Sequence, residues 1–346
     1  MAPLVTPDPA FWRGTRVLVT GHTGFKGAWL VRMLAELGAL VTGIGLPPEA
    51  PSAHASLGIR RRLVADHRMD LRDAAPLAAL VRAAAPEVVL HLAAQALVAE
   101  GYRDPVGTFA TNVGGTIHLL EALRGLQGLR CAVIVTSDKV YRNEGLGRPF
   151  TEADPLGGHD PYSASKAACE IAVASWRASF AGELPPIVTA RAGNVIGGGD
   201  FGAHRLVPDL VRALREGEAL QLRRPDATRP FQHVTDVNRG YLLLAERAAR
   251  DPACPPAMNF GPADGELSVR ALLDLWGRAT GRPVVWEALP APPMEEASRL
   301  ALDSSLAGRV LGWHPALDTP AAVAETARWY ADWLAGKDMA GKEMAA

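Results

Sequence analysis

Cysteines and long apolar runs are both scarce in this chain, and each shortage excludes a class of protein. The 346 residues include three cysteines, Cys131, Cys169 and Cys254, which lie far apart and without CxxC spacing. An odd number of isolated cysteines argues against a disulfide framework and against a zinc site, so we expect buried thiols and no metal. No run of about 18 apolar residues occurs and no signal-peptide core precedes the first motif, so we expect a cytoplasmic protein without a membrane partner.

An excess of charge of either sign is also absent. The 36 basic and 37 acidic side chains are interspersed and give a net charge of −1. Binding to nucleic acid or to an anionic membrane needs concentrated positive charge, so neither partner is expected. The composition favours a small, locally recognised ligand.

Lysine is rare relative to arginine. The chain has 31 arginines but five lysines, at positions 26, 139, 166, 337 and 342. Lys337 and Lys342 lie in the tail AGKDMAGKEMAA, whereas the other three lie inside sequence motifs. A lysine kept where arginine is otherwise preferred points to a property that only lysine has, such as the ability to lose its proton when buried.

Short apolar runs of strand length alternate with helical patterns through the first half of the chain. This alternation predicts an α/β fold, a Rossmann doubly wound parallel sheet with helices on both faces. After residue 196, glycines and prolines interrupt the pattern, which predicts a smaller substrate-binding lobe. We therefore expect a dinucleotide-binding domain over 1–195, rejoined by a helix within 230–250, a lobe from 196–229 and 251–335, and a flexible tail over 336–346.

The segment RVLVTGHTGFKGAWL predicts a strand, a glycine turn and a helix. Gly21, Gly24 and Gly27 have the spacing that lets a backbone approach a dinucleotide pyrophosphate at a helix N-terminus. The acidic residue that usually follows the second strand and binds the adenosine ribose of NAD is missing, so these residues leave NAD and NADP both open. Ala93 and Ala94 end another strand, where a cofactor can lie close, although core alanines explain them equally well.

Tyr162 and Lys166 form a sharper signal. They stand four residues apart in the helical segment DPYSASKAACEIAV and so share one helix face. A neighbouring ammonium favours the phenolate, which would make Tyr162 a general base for a substrate hydroxyl.

Taken together, the motifs GHTGFKGAWL, TSDKVY, GGHDPYSASKA, RAGNVIGGGDF and RPFQHVTD resemble those of the extended short-chain dehydrogenase/reductases. Within that family the chain is most similar, from about Phe11 to Ala316, to the nucleotide-sugar 4,6-dehydratases that act on CDP-hexoses. The resemblance implies NAD as the cofactor. It also implies a set of cofactor-binding residues: Gly21, Thr23, Gly24, Phe25, Lys26, Gly27, Asp70, Leu71, Leu92, Ala93, Ala94, Gln95, Thr111, Thr136, Tyr162 and Lys166.

The same resemblance implies catalytic roles for the segment that follows the fifth strand. Tyr162 and Lys166 would act on the sugar 4-hydroxyl, and Ser137 would bond the 4-oxygen. Asp138 would be the general acid and Lys139 the base that eliminates water across C5 and C6, where related dehydratases carry an Asp-Glu pair. The alternative for Asp138 and Lys139 is a surface ion pair at a strand end.

On the substrate side, the resemblance implies contacts with a CDP-hexose nucleotide sugar from Asn194, Arg205, Leu206, Arg229 and Arg299. The chain departs from the family pattern at Phe231, where tryptophan is expected, and at Ala99 and Gly101, where arginine and serine are common. These departures leave the nucleobase and the exact hexose open. The implied reaction is dehydration of CDP-D-glucose in deoxysugar and surface polysaccharide biosynthesis.

Three alternatives stay open at this stage. A nucleotide-sugar 4-epimerase, or a dehydratase for another nucleotide hexose, would share the glycines and the Tyr162–Lys166 pair. A non-catalytic cofactor-sensing module would keep only the fold. The family resemblance also implies a homodimer, formed by a four-helix bundle of segments 104–124 and 161–179, although core packing explains their apolar stripes equally well.

Overall fold

A central parallel sheet organises the protein, as shown by a computed structural model that describes residues 3–145, 147–290 and 299–341. The strands, in chain order, are β1 Arg16–Thr20, β2 Leu40–Gly45, β3 Ala65–Arg68, β4 Val88–His91, β5 Cys131–Val135, β6 Ile187–Ala192, β7 Val195–Ile196, β8 Leu220–Leu222, β9 Thr228–Arg229, β10 Gln232–His233, β11 Ala257–Phe260, β12 Leu267–Ser268 and β13 Trp286–Ala288.

Thirteen α-helices accompany these strands in the described residues. They are α1 Pro9–Trp12, α2 Phe25–Glu36, α3 Ala53–Ser56, α4 Ala74–Ala84, α5 Val98–Arg103, α6 Pro105–Phe109, α7 Gly115–Leu123, α8 Pro161–Ser179, α9 Leu206–Glu216, α10 Val234–Arg250, α11 Val269–Thr280, α12 Ser305–Leu311 and α13 Thr319–Leu334. Short 3₁₀ turns cover Ile59–Arg62 and Asp138–Val140, and a π-helical segment over Ala110–Gly114 joins α6 to α7.

The central sheet has seven strands in the order β11-β6-β5-β4-β1-β2-β3, with every neighbouring pair parallel. The strand order reverses between β1 and β4, which is the switch point where a doubly wound sheet binds its ligand. The predicted Rossmann doubly wound sheet is therefore confirmed.

Both faces of the sheet are buried, because alternate residues of each strand point in opposite directions. Val17 and Val19 belong to the core that α2 and α10 cover, whereas Leu18 belongs to the core that α4, α7 and α8 cover. Two covered faces explain why the strands read as nearly continuous apolar runs. The helices do not cover the carboxyl ends of the strands, which together form one end of the sheet, called here its carboxyl edge.

The smaller lobe lies at that edge and is built from three pairs of short strands. β7 pairs with β10, β8 with β13 and β9 with β12. α10 returns to the sheet as expected. One boundary was wrong: residues 257–260 were expected in the lobe, but they form β11, which extends the sheet beyond β6. Met258 and Phe260 are buried there, and prolines in the segment CPPAMNFGPADG obscured this strand.

The start of the C-terminal tail is packed against the first domain. Met339 is buried, the backbone oxygen of Ala340 accepts a hydrogen bond from Arg62 Nη2 at 3.1 Å, and Lys337 pairs with Asp332. The flexible tail expected over 336–346 is thus not found for residues 336–341. The rest of that segment, residues 342–346, lies outside the described residues.

Within the described ranges, no helix combines the length and the apolar character needed to cross a membrane.

Candidate active site

The glycine turn forms where β1 ends and α2 begins. Gly21 has φ +76°, and a Cβ atom there would lie 2.6 Å from the backbone nitrogen of Ala93. A Cβ atom at Gly27 would lie 2.1 Å from the carbonyl oxygen of Gly21. Gly24 caps α2 without a side-chain hydrogen bond, so the amides of the first turn stay open toward the turn. These features fit a dinucleotide pyrophosphate, which needs a close backbone approach and a positive helix end.

The predicted cofactor-binding residues beyond the turn lie along the same sheet edge. Leu92, Ala93, Ala94 and Gln95 follow β4 directly, and the Gln95 backbone nitrogen donates to Asn112 Oδ1 at 2.8 Å. Thr111 lies beside Asn112 in the π-helical segment. Asn112 also donates to Ser165 Oγ at 2.8 Å, which links this segment to α8.

Asp70 and Leu71 follow β3. Asp70 accepts hydrogen bonds from Arg72 Nη2 at 2.6 Å and from Arg72 Nε at 3.0 Å, and this pairing holds the pKa of Asp70 below its usual value. Leu71 is buried, with its carbonyl facing His118 Nδ1 at 3.0 Å. Asp70 is thus a partly exposed carboxylate at the sheet edge, available to a ligand only in competition with Arg72.

A carboxylate near the end of β2, which the sequence lacks on that strand, is provided by Asp66 on β3. Its Oδ1 atom lies 2.7 Å from Nε2 of the buried His22, and Arg68 donates to its Oδ2 atom at 3.0 Å. His22, His54 and Asp66 place possible metal ligands within 4.8 Å of one another. Arg68 Nη1 lies only 2.8 Å from His22 Nε2, so a guanidinium already fills the position that a cation would need.

A cavity of about 350 Å³ opens between the carboxyl ends of the strands and the lobe. Eleven predicted residues line it: Phe25, Lys26, Thr136, Ser137, Asp138, Lys139, Tyr162, Asn194, Arg205, Leu206 and Arg229. The sheet brings them together because β1, β5 and β6 all end at this edge. Sequence reasoning did not select Asp200 and His204, which also line it; the glycine-rich stretch GGGDFGAH was the signal that contained them.

Ser137, Asp138 and Lys139 occupy the tight turn after β5. Ser137 Oγ donates to Asp138 Oδ1 at 3.0 Å and accepts from the Lys139 backbone nitrogen at 3.2 Å. Asp138 is 2% exposed, and its Oδ2 atom has no hydrogen-bond partner in the described part of the chain. Burial raises the pKa of Asp138, against the lowering effect of Lys139 and of the Ser137 hydrogen bond. The surface ion pair considered as the alternative does not fit a carboxyl group this deeply buried.

Tyr162 and Lys166 lie on the first turns of α8, which begins at Pro161 directly after the Asp160 cap. Burial raises the pKa of Tyr162 to about 12, while the Ser137 hydroxyl acts in the opposite direction. Lys166 Nζ donates to the carbonyl of Val135 at 3.2 Å, and burial lowers the pKa of Lys166. The expected net lowering of the pKa of Tyr162 is not found, because desolvation of the phenol outweighs the Ser137 hydrogen bond and the positive charge of Arg205.

Lys26 lies in the same cavity, although the sequence indicated no chemical role for its side chain. Its Nζ atom lies 3.5 Å from the hydroxyl of Tyr241 and 5.7 Å from the centre of the Tyr241 ring. Burial, followed by the positive charges of Lys166 and Arg205, lowers the pKa of Lys26 to about 7, and Asp138 opposes this shift. The glycine turn thus contributes an amine that changes charge near neutral pH.

Arginines line the part of the cavity formed by the lobe. Arg205 pairs with Asp200 at 3.2 Å, and Arg229 is largely buried with Nη1 donating to the Thr228 carbonyl at 2.8 Å. Arg299 lies outside the cavity lining. It pairs with Glu266 and donates to the Gly147 carbonyl at 2.6 Å, so its assignment to substrate binding stays a prediction.

The departures from the family pattern also have structural positions. A Cβ atom at Gly101 would lie 3.0 Å from the backbone nitrogen of Tyr162, so a small residue lets α5 approach the start of α8. Ala99 and Phe231 line the cavity. Substitutions at 99 and 231 therefore change the shape of the binding surface, whereas the one at 101 changes helix packing.

Comparisons with known proteins identify the family of this chain. The family model described as "NAD dependent epimerase/dehydratase family" matches residues 17–261. The CDP-glucose 4,6-dehydratase of Salmonella typhimurium is 38% identical over 346 residues, covering 96% of this chain and 95% of that protein.

Two solved structures share the fold. DesIV, a dTDP-glucose 4,6-dehydratase from Streptomyces venezuelae solved with NAD bound, has a TM-score of 0.80 at 25% identity, covering 94% of this chain and 99% of DesIV. The UDP-glucose 4-epimerase of Thermotoga maritima has a TM-score of 0.82 at 23% identity, covering 92% and 99% of the two chains. The family match and the identity to the Salmonella enzyme show that this chain belongs to the NAD-dependent epimerase/dehydratase family.

Proposed function

We propose that the protein converts CDP-D-glucose to CDP-4-keto-6-deoxy-D-glucose, with NAD as the cofactor and with loss of one water. The observation that carries this proposal is the pair Asp138 and Lys139, which lines the same cavity as Tyr162. The 38% identity to a CDP-glucose 4,6-dehydratase over 96% of the chain supports the choice of substrate.

The first step is oxidation of the sugar at C4. NAD, when bound, would supply the hydride acceptor for C4 and the hydride donor for C6. Tyr162 takes the proton of the 4-hydroxyl, and Ser137 bonds the 4-oxygen. Because burial holds the pKa of Tyr162 high, the phenol needs neighbouring positive charge to act as a base. Lys166 lies one helical turn further along α8 and contributes such charge.

The second step removes water across C5 and C6. The 4-ketone acidifies the C5 hydrogen, which Lys139 removes, while Asp138 gives its proton to the departing 6-hydroxyl. Asp138 is suited to this role because burial raises its pKa and so favours the protonated acid. Its unpartnered Oδ2 atom can then carry the proton to a substrate. Lys139 returns its proton to C5 when hydride reaches C6.

Arginine could not replace Lys139 as the base, because a guanidinium keeps its proton at any pH where the protein is folded. The amine of lysine can be neutral when it is desolvated and faces other positive charges. Lys26 and Arg229 line the same cavity as Lys139.

The structural similarity to 4-epimerases favours a second candidate, a nucleotide-sugar 4-epimerase. An epimerase would need Tyr162 and Lys166 but no acid and base pair beyond them. Mass spectrometry of reactions with CDP-, dTDP-, GDP- and UDP-hexoses in the presence of NAD separates the two. We expect a product one water lighter from CDP-glucose. A hexose of unchanged mass would instead support the epimerase, and no turnover with any of the four would support a cofactor-sensing module.

We propose a cytoplasmic location and a place in deoxysugar biosynthesis, because the 4-keto-6-deoxy product is a substrate for further sugar-modifying reactions.

We also propose a homodimer. Exposed apolar side chains lie on the neighbouring helices α5, α6 and α8: Tyr102, Val106, Phe109 and Ile171 are 39, 79, 39 and 61% exposed. Pairing of α6 and α8 with a second copy would cover them in a four-helix bundle.

A further inference from the structure

Helix α8 carries a third buried polar residue on the same face as its two proposed catalytic residues. Tyr162, Lys166 and Glu170 stand at four-residue intervals and therefore follow one face of the helix. Glu170 is 5% exposed. A carboxylate at this depth must be paired to be tolerated, so its partners indicate what it does.

Four hydrogen bonds converge on the Glu170 carboxylate. Arg191 donates from Nε to Oε1 at 2.9 Å and from Nη2 to Oε2 at 2.8 Å, which is the two-pronged geometry of a strong ion pair. Thr136 Oγ1 donates to Oε1 at 2.5 Å, and Thr189 Oγ1 donates to Oε2 at 2.8 Å. All three donors are at most 5% exposed, so the ion pair is screened from solvent.

Arg191 extends this network to the other end of the same loop. Its Nη1 atom donates to the Tyr141 hydroxyl at 2.9 Å, and that hydroxyl donates to Asn259 Oδ1 at 2.6 Å. The Tyr141 ring stacks on Phe150 with a centroid distance of 4.9 Å. Thr136 directly precedes Ser137, and Tyr141 follows Lys139 with Val140 between them. The Glu170–Arg191 pair therefore anchors both ends of the segment that carries the proposed acid and base.

We propose that Glu170 and Arg191 are positioning residues. They hold the elimination pair, Asp138 and Lys139, at a fixed position relative to Tyr162, which lies on the same helix as Glu170. This inference rests on the proposed function. Oxidation at C4 uses Tyr162 on α8 as the base, with Ser137 at the start of the loop bonding the 4-oxygen. Elimination uses Asp138 and Lys139 further along the same loop, so the two steps need a rigid link between helix and loop. A displacement of about 1 Å in such a group costs on the order of 100-fold in rate.

A buried ion pair is not in itself evidence of a stabilising role, because apolar residues of similar volume often stabilise a fold equally well. The distinguishing property of this pair is its connection to both ends of one catalytic loop. Loss of the pair should therefore affect one chemical step more than the other, which a simple structural role does not predict.

The test is single-turnover kinetics of Glu170→Gln with CDP-glucose and NAD, with two readouts. Absorbance of reduced cofactor reports C4 oxidation, and product mass reports water loss. We expect oxidation within about threefold of wild type and water loss slowed roughly 10- to 100-fold, so that reduced cofactor accumulates. Equal slowing of both steps, or no slowing of either, would overturn the proposal.

Two further variants keep the test valid if Glu170→Gln fails to fold. Tyr141→Phe removes only the hydroxyl that Arg191 reaches and should also slow water loss more than oxidation. Thr326→Val is the control: it removes a buried hydroxyl that donates to the Ala322 carbonyl at 2.7 Å within α13, away from the Glu170 network, and both steps should stay near wild type. If Tyr141→Phe leaves the ratio of the two steps unchanged, the positioning role is wrong.

Wild-type enzyme in the same assay separates the two levels of inference. If wild type forms no product one water lighter, the proposed function fails and the positioning role fails with it. If wild type dehydrates the substrate while Glu170→Gln slows both steps equally, only the positioning role is rejected.

Discussion

At the scale of single residues, the difference between lysine and arginine carries most of the functional argument. Lys26, Lys139 and Lys166 all lie at or beside the cavity, in a chain that otherwise uses arginine for positive charge. Lys166 is buried against the Val135 carbonyl, and burial lowers its pKa. A buried amine can shift its pKa and lose its proton, which a guanidinium cannot do.

The base assignment is tested by Lys139→Arg. We expect C4 oxidation to persist and water loss to fall at least roughly 100-fold, because arginine keeps the charge but cannot accept the C5 proton. Reduced-cofactor absorbance and product mass measure the two steps. Lys337→Arg is the matched control, since Lys337 lies in an exposed ion pair with Asp332. Near-normal dehydration by Lys139→Arg would show that another group removes the C5 proton.

Sequence reasoning placed Tyr162 and Lys166 correctly on one helix face, because a spacing of four residues is a local property. It gave the wrong direction for the pKa of Tyr162, because burial of a phenol depends on packing from distant segments. It also missed the ion pair of Glu170 with Arg191, whose partners are 21 residues apart and meet only when α8 packs on β6. The four-residue spacing between Lys166 and Glu170 was the available signal. That spacing by itself does not identify Arg191 as the residue that pairs with Glu170.

At the scale of secondary-structure elements, the turn between β1 and α2 shows how closely local sequence can specify geometry. Gly27 packs so tightly on Gly21 that a methyl group would overlap the Gly21 carbonyl oxygen at 2.1 Å. The turn must therefore open if either residue gains a side chain. Its geometry in turn directs the amides of α2 toward the cofactor position.

Gly27→Ala is accordingly expected to weaken NAD binding at least roughly tenfold, about 1.4 kcal/mol, because the backbone can no longer approach the pyrophosphate closely. Calorimetric titration with NAD measures the change. Gly182→Ala is the matched control, since a Cβ atom there meets nothing within 4 Å. Unchanged affinity in Gly27→Ala would mean that the cofactor does not bind over this turn.

Elements that depend on partners elsewhere in the chain were predicted less well. The alternation of strands and helices predicted β1, β2, β4, β5 and β6, whose apolar runs are long enough to stand out. β11 has four residues between prolines and was assigned to the lobe. The π-helical segment over 110–114 had no recognised sequence signal; its Asn112 bonds both Gln95 and Ser165, so tertiary contacts stabilise it.

At the scale of the whole molecule, assembly and stability depend on groups spread over the chain. Ile171 is 61% exposed on α8, and Val106 and Phe109 are exposed on α6, a helix that contacts α8. Ile171→Glu should convert the proposed dimer to a monomer, because a charge would be buried at the interface. Light scattering after gel filtration measures the mass. Val285→Glu, at a side chain 68% exposed in the lobe, should leave the mass unchanged, and a wild-type monomer would rule out the dimer.

We predict that the protein loses stability in acid, because two buried histidines bind protons more readily in the unfolded chain than in the folded protein. Burial lowers the pKa of His91 to about 3, aided by the charge of Lys166, and lowers that of His233 to about 4. Both lie below the unfolded value of about 6.5. The unfolded chain therefore binds more protons as pH falls from 6.5 toward 4. Each histidine then reduces the free energy of unfolding by about 1.4 kcal/mol per pH unit in this range.

Thermal unfolding between pH 7 and pH 4 measures this effect. His91→Gln removes one of the two titrating groups, so its unfolding temperature should fall less steeply with pH than that of wild type. His159→Gln, at an exposed position, should keep the wild-type slope. An unchanged slope in His91→Gln would contradict the assignment to His91, because His233 and the carboxyl groups would then account for the whole acid sensitivity.

The sequence by itself determined the fold class, the glycine turn, the Tyr162–Lys166 pair and the presence of Asp138 beside Lys139. Each of these is encoded within a few consecutive residues, through strand and helix periodicity or fixed spacing. Only the tertiary structure decided that Asp138 is buried rather than in a surface ion pair, that Lys26 faces the cavity and that Arg299 lies outside it. Parallel strands from distant segments end at one edge of the sheet, so which side chains meet there, and how far each is removed from water, follows from packing of the whole chain.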